Sequence, residues 1–309
     1  MTTTARPGTS NFLGPQPEFD GYGVAGRSEW LDIDWQQHLR SCPVNGSRVN
    51  YVEMGEGPPL VFIHGLSGCW QNWLENIPHM ARRHRVVALD LPGFGESELP
   101  QEEISIPGYG RFVDDFLGEI GVERGALVGN SMGGFIAAET AITHASRVSK
   151  LVLVSAAGLV RVGNRRLAAL ERAARLVHPA TAAVLARRDY LVKRPKLRRR
   201  MLYGIVRYPD RIAPELVYEV ASGAGKPGFL DALNAIMDYD FRDRLPQISD
   251  PTLIIWGRND MIVPVSGAYE YEQLIPDTRR VILENTGHVP MLERPARFNQ
   301  LIEEFLTSQ

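Results

Sequence analysis

A chain of 309 residues with 44% apolar content can bury one large core, and its formal net charge of −2 argues against nucleic acid as a general partner. Two cysteines, Cys42 and Cys69, exclude a disulfide framework and are expected to stay reduced. Residues 1–26 are rich in Thr, Pro and Gly and lack a basic segment followed by an apolar one, so they read as a flexible leader rather than a secretory signal. No apolar run approaches the ~20 residues that span a bilayer, and a cytoplasmic location is expected.

In chain order, two early strands are predicted near Trp30–Leu39 and Arg48–Met54, with a turn at Asn45-Gly46 between them. Leu60–Ile63 is a strand that runs into His64-Gly65-Leu66-Ser67-Gly68. Trp70–Arg82 reads as a helix, Arg85–Leu89 as a strand, and Tyr109–Ile120 as a helix with Phe112, Phe116 and Ile120 on one face. The strand Ala126–Val128, a helix from Gly134 and the strand Lys150–Ser155 complete the first half. From about Leu159 to Asp240 the alternation gives way to several helices with Pro and Gly breaks. It resumes with strands at Thr252–Trp256 and Arg280–Leu283 and a last helix from about Pro295. The pattern predicts an α/β fold with a mostly parallel central sheet flanked by helices. Residues 27–158 and 241–309 form its core, and residues 159–240 a helical cap inserted after the sixth strand.

Between the strand at Ala126–Val128 and the helix that follows lies Gly129-Asn130-Ser131-Met132-Gly133. A strand that turns into a helix through G-x-S-x-G is a nucleophile elbow, in which backbone strain holds the serine hydroxyl clear of the sheet. The new helix presents unpaired N–H groups and the positive end of its dipole to a developing oxyanion. Such a serine needs a base, an orienting acid and a second oxyanion donor. Asp260 follows a buried strand at its carboxyl end, and His288 lies on the loop after the next strand. The order serine, acid, histidine is the one this kind of elbow requires. The oxyanion donors are assigned to the backbone N–H groups of Leu66 and Met132. His64, Gly65, Asn130, Phe94 and Val289 are candidates for the substrate pocket, with His64 bracing the oxyanion loop.

Each residue also has a plainer reading. Ser131 is an ordinary turn in that view, Asp260 an N-cap before Ile262-Val263-Pro264, and His288 a loop histidine. Glu284 is the nearest rival acid, and the position after the sixth strand carries Ser155 and Ala156, which cannot serve. His38, His64, His79, His84, His144 and His178 lack the position and preceding glycine of His288. No set of residues has metal-ligand spacing.

These motifs together resemble the α/β-hydrolase superfamily. The matching segments are His64-Gly65, Asp90-Leu91-Pro92-Gly93-Phe94-Gly95-Glu96-Ser97, the Ser131 elbow, Trp256-Gly257-Arg258-Asn259-Asp260 and Gly287-His288. The resemblance implies a catalytic triad of Ser131, Asp260 and His288, working without a cofactor on a small-molecule acyl substrate. The default reaction is hydrolysis of a carboxylic ester through an acyl-enzyme on Ser131. The alternative is hydrolysis of a C–C bond in a ring-cleavage dienoate, because Gly129–Gly134 looks like the elbow of such hydrolases. The chain departs from them at Val289, where an aromatic residue is typical. Epoxide hydrolases and haloalkane dehalogenases carry an aspartate at the elbow and fit less well. A non-catalytic ligand-binding member of the fold is the third reading.

The cap is strongly basic. Between Arg161 and Arg211 it carries fifteen Lys/Arg against three acids, six of the former between Leu191 and Met201. One reading is a solvated helix surface. The other is attraction of an anionic ligand or peripheral contact with anionic lipid, with Leu185, Leu191, Val192, Leu197, Met201 and Leu202 interleaved among the charges.

Overall fold

A computed structural model of the chain describes residues 20–159 and 187–308. Eight strands form one sheet: β1 Leu39–Val44, β2 Ser47–Met54, β3 Pro59–Ile63, β4 Arg85–Leu89, β5 Gly125–Asn130, β6 Val148–Val154, β7 Thr252–Gly257 and β8 Thr278–Leu283. Their order is β1-β2-β4-β3-β5-β6-β7-β8, antiparallel where β2 meets β1 and β4 and parallel elsewhere. From β3 the chain steps out to β4, then crosses back to place β5 on the other side. That reversal makes a switch point at the carboxyl ends of β3 and β5, where an open sheet leaves a crevice for ligands.

The inner strands are unbroken apolar runs because both faces of the sheet are covered. Alternate residues go to opposite sides. Val61, Ile63, Leu127 and Ile254 join the core under the helices Ile106–Glu119, Met132–Thr143 and Ser266–Leu274. Leu60, Phe62, Val128 and Ile255 join the core under Trp73, Ile77 and the helix Pro295–Thr307.

Two expected elements differ. The stretch Trp30–Leu39 is not a strand; it makes two 3₁₀ turns, Glu29–Asp32 and Trp35–Gln37. The Asp34 side chain accepts the Gln36 N–H, so local bonding competes with the ladder, and the strand starts only at Leu39. Trp70–Arg82 is not one helix but a 3₁₀ turn, Trp70–Trp73, and a single turn, Ile77–Met80. Pro78 has no amide hydrogen for an intrahelical bond and is tolerated only in a first turn. The Asn45-Gly46 turn is present, both residues having positive φ as a two-residue hairpin requires.

Residues 1–19 of the expected leader and residues 160–186 of the expected cap lie outside the described residues. Within the rest of the leader, Tyr22 is 2% exposed and so part of the core, not a loose tail. The described part of the insertion between β6 and β7 contains the helices Arg188–Val192, Pro195–Leu202, Pro214–Val220 and Phe229–Asp238. Its later part rests on the loops beyond β3 and β4. Gly223 packs against the backbone of Ser67-Gly68, the Gly228 N–H donates to Gly93 O, and Lys226 pairs with Glu96 at 3.1 Å.

Candidate active site

Ser131 terminates β5 with φ 56° and ψ −118°, a conformation that only a constrained turn holds in a non-glycine residue. The constraint is visible in its own backbone. Its N–H donates to Val154 O at 2.9 Å, and its carbonyl accepts from Phe135 and Ala157 at 3.1 and 3.0 Å. A side chain at Gly133 would collide with the carbonyls of Ile63 and His64, so glycine is required where the elbow helix crosses β3. Met132 opens that helix, and its amide has no carbonyl one turn back within it.

Asp260 follows β7 on a loop tied to the loop after β8: the Arg258 N–H donates to Leu283 O and the Asn259 N–H to Thr286 O. This lacing brings together residues that the chain separates. His288 Nδ1 donates to Asp260 Oδ2 at 2.8 Å, in a setting where the aspartate side chain is fully buried. Asp260 Oδ1 accepts the amides of Ile262 and Val263, each at 2.9 Å. The carboxylate is therefore both a turn cap and the partner of the histidine. Glu284 is exposed and bound to Arg258. Ser155 is buried with φ 46°, and its hydroxyl has no partner among the described residues.

The Asn130 amide donates to Val154 O at 3.1 Å and to His288 O at 3.2 Å, binding the elbow strand to the histidine loop. Gly65 lies against Ser131 Cβ, so the loop bearing Leu66 sits beside the elbow. His64 is fully buried; Nδ1 donates to Gly65 O at 2.8 Å and Nε2 accepts the Leu91 N–H at 3.0 Å. Those partners fix a neutral tautomer, and burial lowers its pKa to about 4. His64 and Asn130, expected in the pocket, thus act as braces. Phe94 is a fully buried core residue edge-on to the His64 ring, and Val289 is also buried. Asp90 is a brace too: it accepts from the Trp70 and Glu96 amides and the Asn50 side chain. Both cysteines are free, and burial pushes the Cys69 thiol up to about 12.

The basic segment divides by face. Val192 and Leu202 are buried, whereas Lys193, Arg194, Lys196, Arg199 and Arg200 are exposed. Arg199 pairs with Asp210, Arg194 covers the Tyr190 ring at 3.8 Å, and Tyr203 is 73% exposed beside them in sequence. Leu185 and the Leu191 side chain lie outside the described residues. Sequence reasoning missed Glu293, whose carboxylate accepts the amides on both sides of His288. A single glutamate in a short helical turn carries no local signal of that task.

Residues 58–295 match the model of the alpha/beta hydrolase fold, and the chain belongs to that family. It is 31% identical over 278 residues to a pimeloyl-[acyl-carrier protein] methyl ester esterase of Aeromonas hydrophila, covering 84% of this chain and 99% of that one. It is 29% identical over 276 residues to a 2-hydroxy-6-oxo-6-(2'-aminophenyl)hexa-2,4-dienoic acid hydrolase of Metapseudomonas resinovorans, covering 87% and 90%. Among solved structures, a bacterial membrane phospholipase A superimposes with a TM-score of 0.68 at 31% identity, covering 87% and 85%. The named relatives are an esterase, a dienoic acid hydrolase and a phospholipase. No helix among the described residues is long and apolar enough to cross a membrane.

Proposed function

We propose that the protein is a serine hydrolase that cleaves a carboxylic ester, and the observation carrying this reading is the buried Asp260–His288 hydrogen bond on a loop that Asn130, the neighbour of the strained Ser131, ties to the elbow. With Nδ1–H committed to Asp260, the proton of a neutral ring sits on that nitrogen, leaving Nε2 as the acceptor for the Ser131 proton. The alkoxide forming on Ser131 attacks the acyl carbon. The amides of Leu66 and Met132 hold the tetrahedral oxyanion, and losing one such donor costs about 3 kcal/mol of barrier. The proton passes from His288 to the leaving alcohol. Water, deprotonated by the same ring, then releases the acid from Ser131.

Esters are preferred as substrates because this machinery needs no further groups to open them; the similarity to a methyl ester esterase supports the choice. The similarity to a dienoic acid hydrolase supports C–C bond hydrolysis as the second reading. The exposed cations of the helix Pro195–Leu202 suit a substrate that is anionic or offered at an anionic lipid surface. The decisive assay is hydrolysis of p-nitrophenyl esters from acetate to laurate by wild type and Ser131→Ala. The expected result is turnover that peaks at one chain length and vanishes in the variant. Absence of Ser131-dependent turnover on every ester overturns the ester reading, and Ser131-dependent cleavage of a dienoate then establishes the second.

A further inference from the structure

Glu293 lies five residues beyond His288 and is fully buried. Its carboxylate accepts the Gly287 N–H at 2.9 Å to each oxygen and the Val289 N–H at 3.3 Å, so the amides flanking His288 end on one group. The remaining donors come from elsewhere in the chain. The Arg207 N–H, from the insertion between β6 and β7, donates to Oε2 at 2.8 Å. The Tyr22 hydroxyl, from the segment before the first strand, donates to the same oxygen at 2.9 Å and accepts the Tyr208 N–H at 2.9 Å.

The junction is reinforced on every side. The His288 N–H donates to Ile205 O at 2.7 Å, and the Gly23 N–H to Glu293 O at 2.6 Å. The guanidinium groups of Arg211 and Arg294 flank the Tyr22 ring at 4.8 and 5.5 Å, and both also bind Asp20. Burial pushes the Glu293 carboxyl up from its ordinary value, while the Arg207 and Gly287 amides and the Tyr22 hydroxyl pull it down. A buried carboxylate bonded only to neutral donors is costly for folding alone, since apolar packing would fill the space more cheaply. Its location points to another task.

We propose that Glu293 is a positioning residue that sets the His288 loop and couples it, through Arg207 and Tyr22, to the base of the insertion and the N-terminal segment. The placement of residues 203–211 and of Tyr22 then determines whether His288 is aligned with Ser131. This rests on the triad reading, in which His288 is the base.

The test follows phosphonylation of Ser131 by a fluorophosphonate probe, in which the Oγ–P bond forms and fluoride leaves. It needs the activated serine but no knowledge of the natural substrate. Saturation kinetics separate the maximal rate from probe binding. Tyr22→Phe deletes one donor and leaves Glu293 in place; one hydrogen bond to a charged group corresponds to about a tenfold fall in the maximal rate. Glu293→Gln turns one acceptor into a donor facing N–H groups and is expected to cost about a hundredfold or more. Probe binding stays within about twofold in both, and the double variant is no slower than Glu293→Gln, because the two act through one contact.

A purely structural role predicts lowered melting temperatures with unchanged maximal rates well below the melt, and that outcome overturns the proposal. Should Glu293→Gln fail to fold, Tyr22→Phe decides alone. His288→Ala separates the two levels. Wild-type labelling in that variant sinks the triad reading itself. Lost labelling there, with wild-type rates in Tyr22→Phe and Glu293→Gln, sinks only the coupling.

Discussion

Replacing Asp260 with asparagine separates its two tasks. Asp260 makes three hydrogen bonds: Oδ1 caps the turn through the Ile262 and Val263 amides, and Oδ2 holds His288 Nδ1. Asparagine has nearly the same shape, so its carbonyl oxygen keeps both cap bonds. The stability cost is then limited to one charge-assisted bond, about 2 kcal/mol, or a few degrees in melting temperature. The effect on chemistry is far larger. The amide NH₂ replaces an acceptor opposite Nδ1, so the ring turns its lone pair towards the amide and carries its proton on Nε2. That nitrogen can no longer take the Ser131 proton. The expected loss is on the order of 10⁴-fold in kcat, equivalent to about 5 kcal/mol of barrier. Asp260→Ala also removes both cap bonds and is expected to melt well below Asp260→Asn. The assay is kcat on the best p-nitrophenyl ester with a thermal melt of each variant. If Asp260→Asn keeps more than about a tenth of the wild-type kcat and its fold, Asp260 is a turn cap only, and the mechanism must be redrawn.

The remaining predictions concern pH and surface charge. The folded pKa of His64, about 4, lies below its unfolded value near 6.5, so the folded state binds fewer protons between those pH values and stability is lost as pH falls through that window. Its share reaches about 3 kcal/mol near pH 4. Asp90 and Glu293, raised by burial, act in the opposite sense. The contribution of His64 is therefore isolated as the difference in urea stability between wild type and His64→Gln, which should narrow on acidification; parallel pH curves refute it. Changing Lys193, Arg194, Lys196 and Arg200 together to glutamine should weaken co-sedimentation with phosphatidylglycerol vesicles, by about 1 kcal/mol per charge and so roughly a hundredfold or more. Equal binding to neutral phosphatidylcholine vesicles, or no loss in the variant, removes these four cations from any role at anionic surfaces.

Much of the candidate site is legible in the linear chain because its signals are local. Buried parallel strands read as apolar runs such as Leu60–Ile63 and Thr252–Trp256, and each ends in a motif whose glycines mark a tight turn or close backbone approach. Gly129 announces the strained Ser131 because its crowding comes from Gly133 and Gly134, a few residues on, whereas the crowding at Gly133 comes from β3. The order of Ser131, Asp260 and His288 follows from the order of the strands. Where local patterns competed, the sequence misled. The stretch Trp30–Leu39 reads as a strand, but Asp34 captures a neighbouring amide and makes a turn.

Which distant groups meet is settled only once the chain has folded. Asp260 also satisfies the plainer reading of a turn cap, and the 2.8 Å bond to His288 comes from the lacing of the loops after β7 and β8. The bracing of the oxyanion loop by His64, and the pair of backbone carbonyls that the Asn130 amide nitrogen joins, likewise appear only in three dimensions. Glu293 and Tyr22 lie 271 residues apart and meet at the histidine loop. Neither residue has a periodicity or spacing that reveals the other, because their hydrogen bond exists only after the sheet has closed the distance between them.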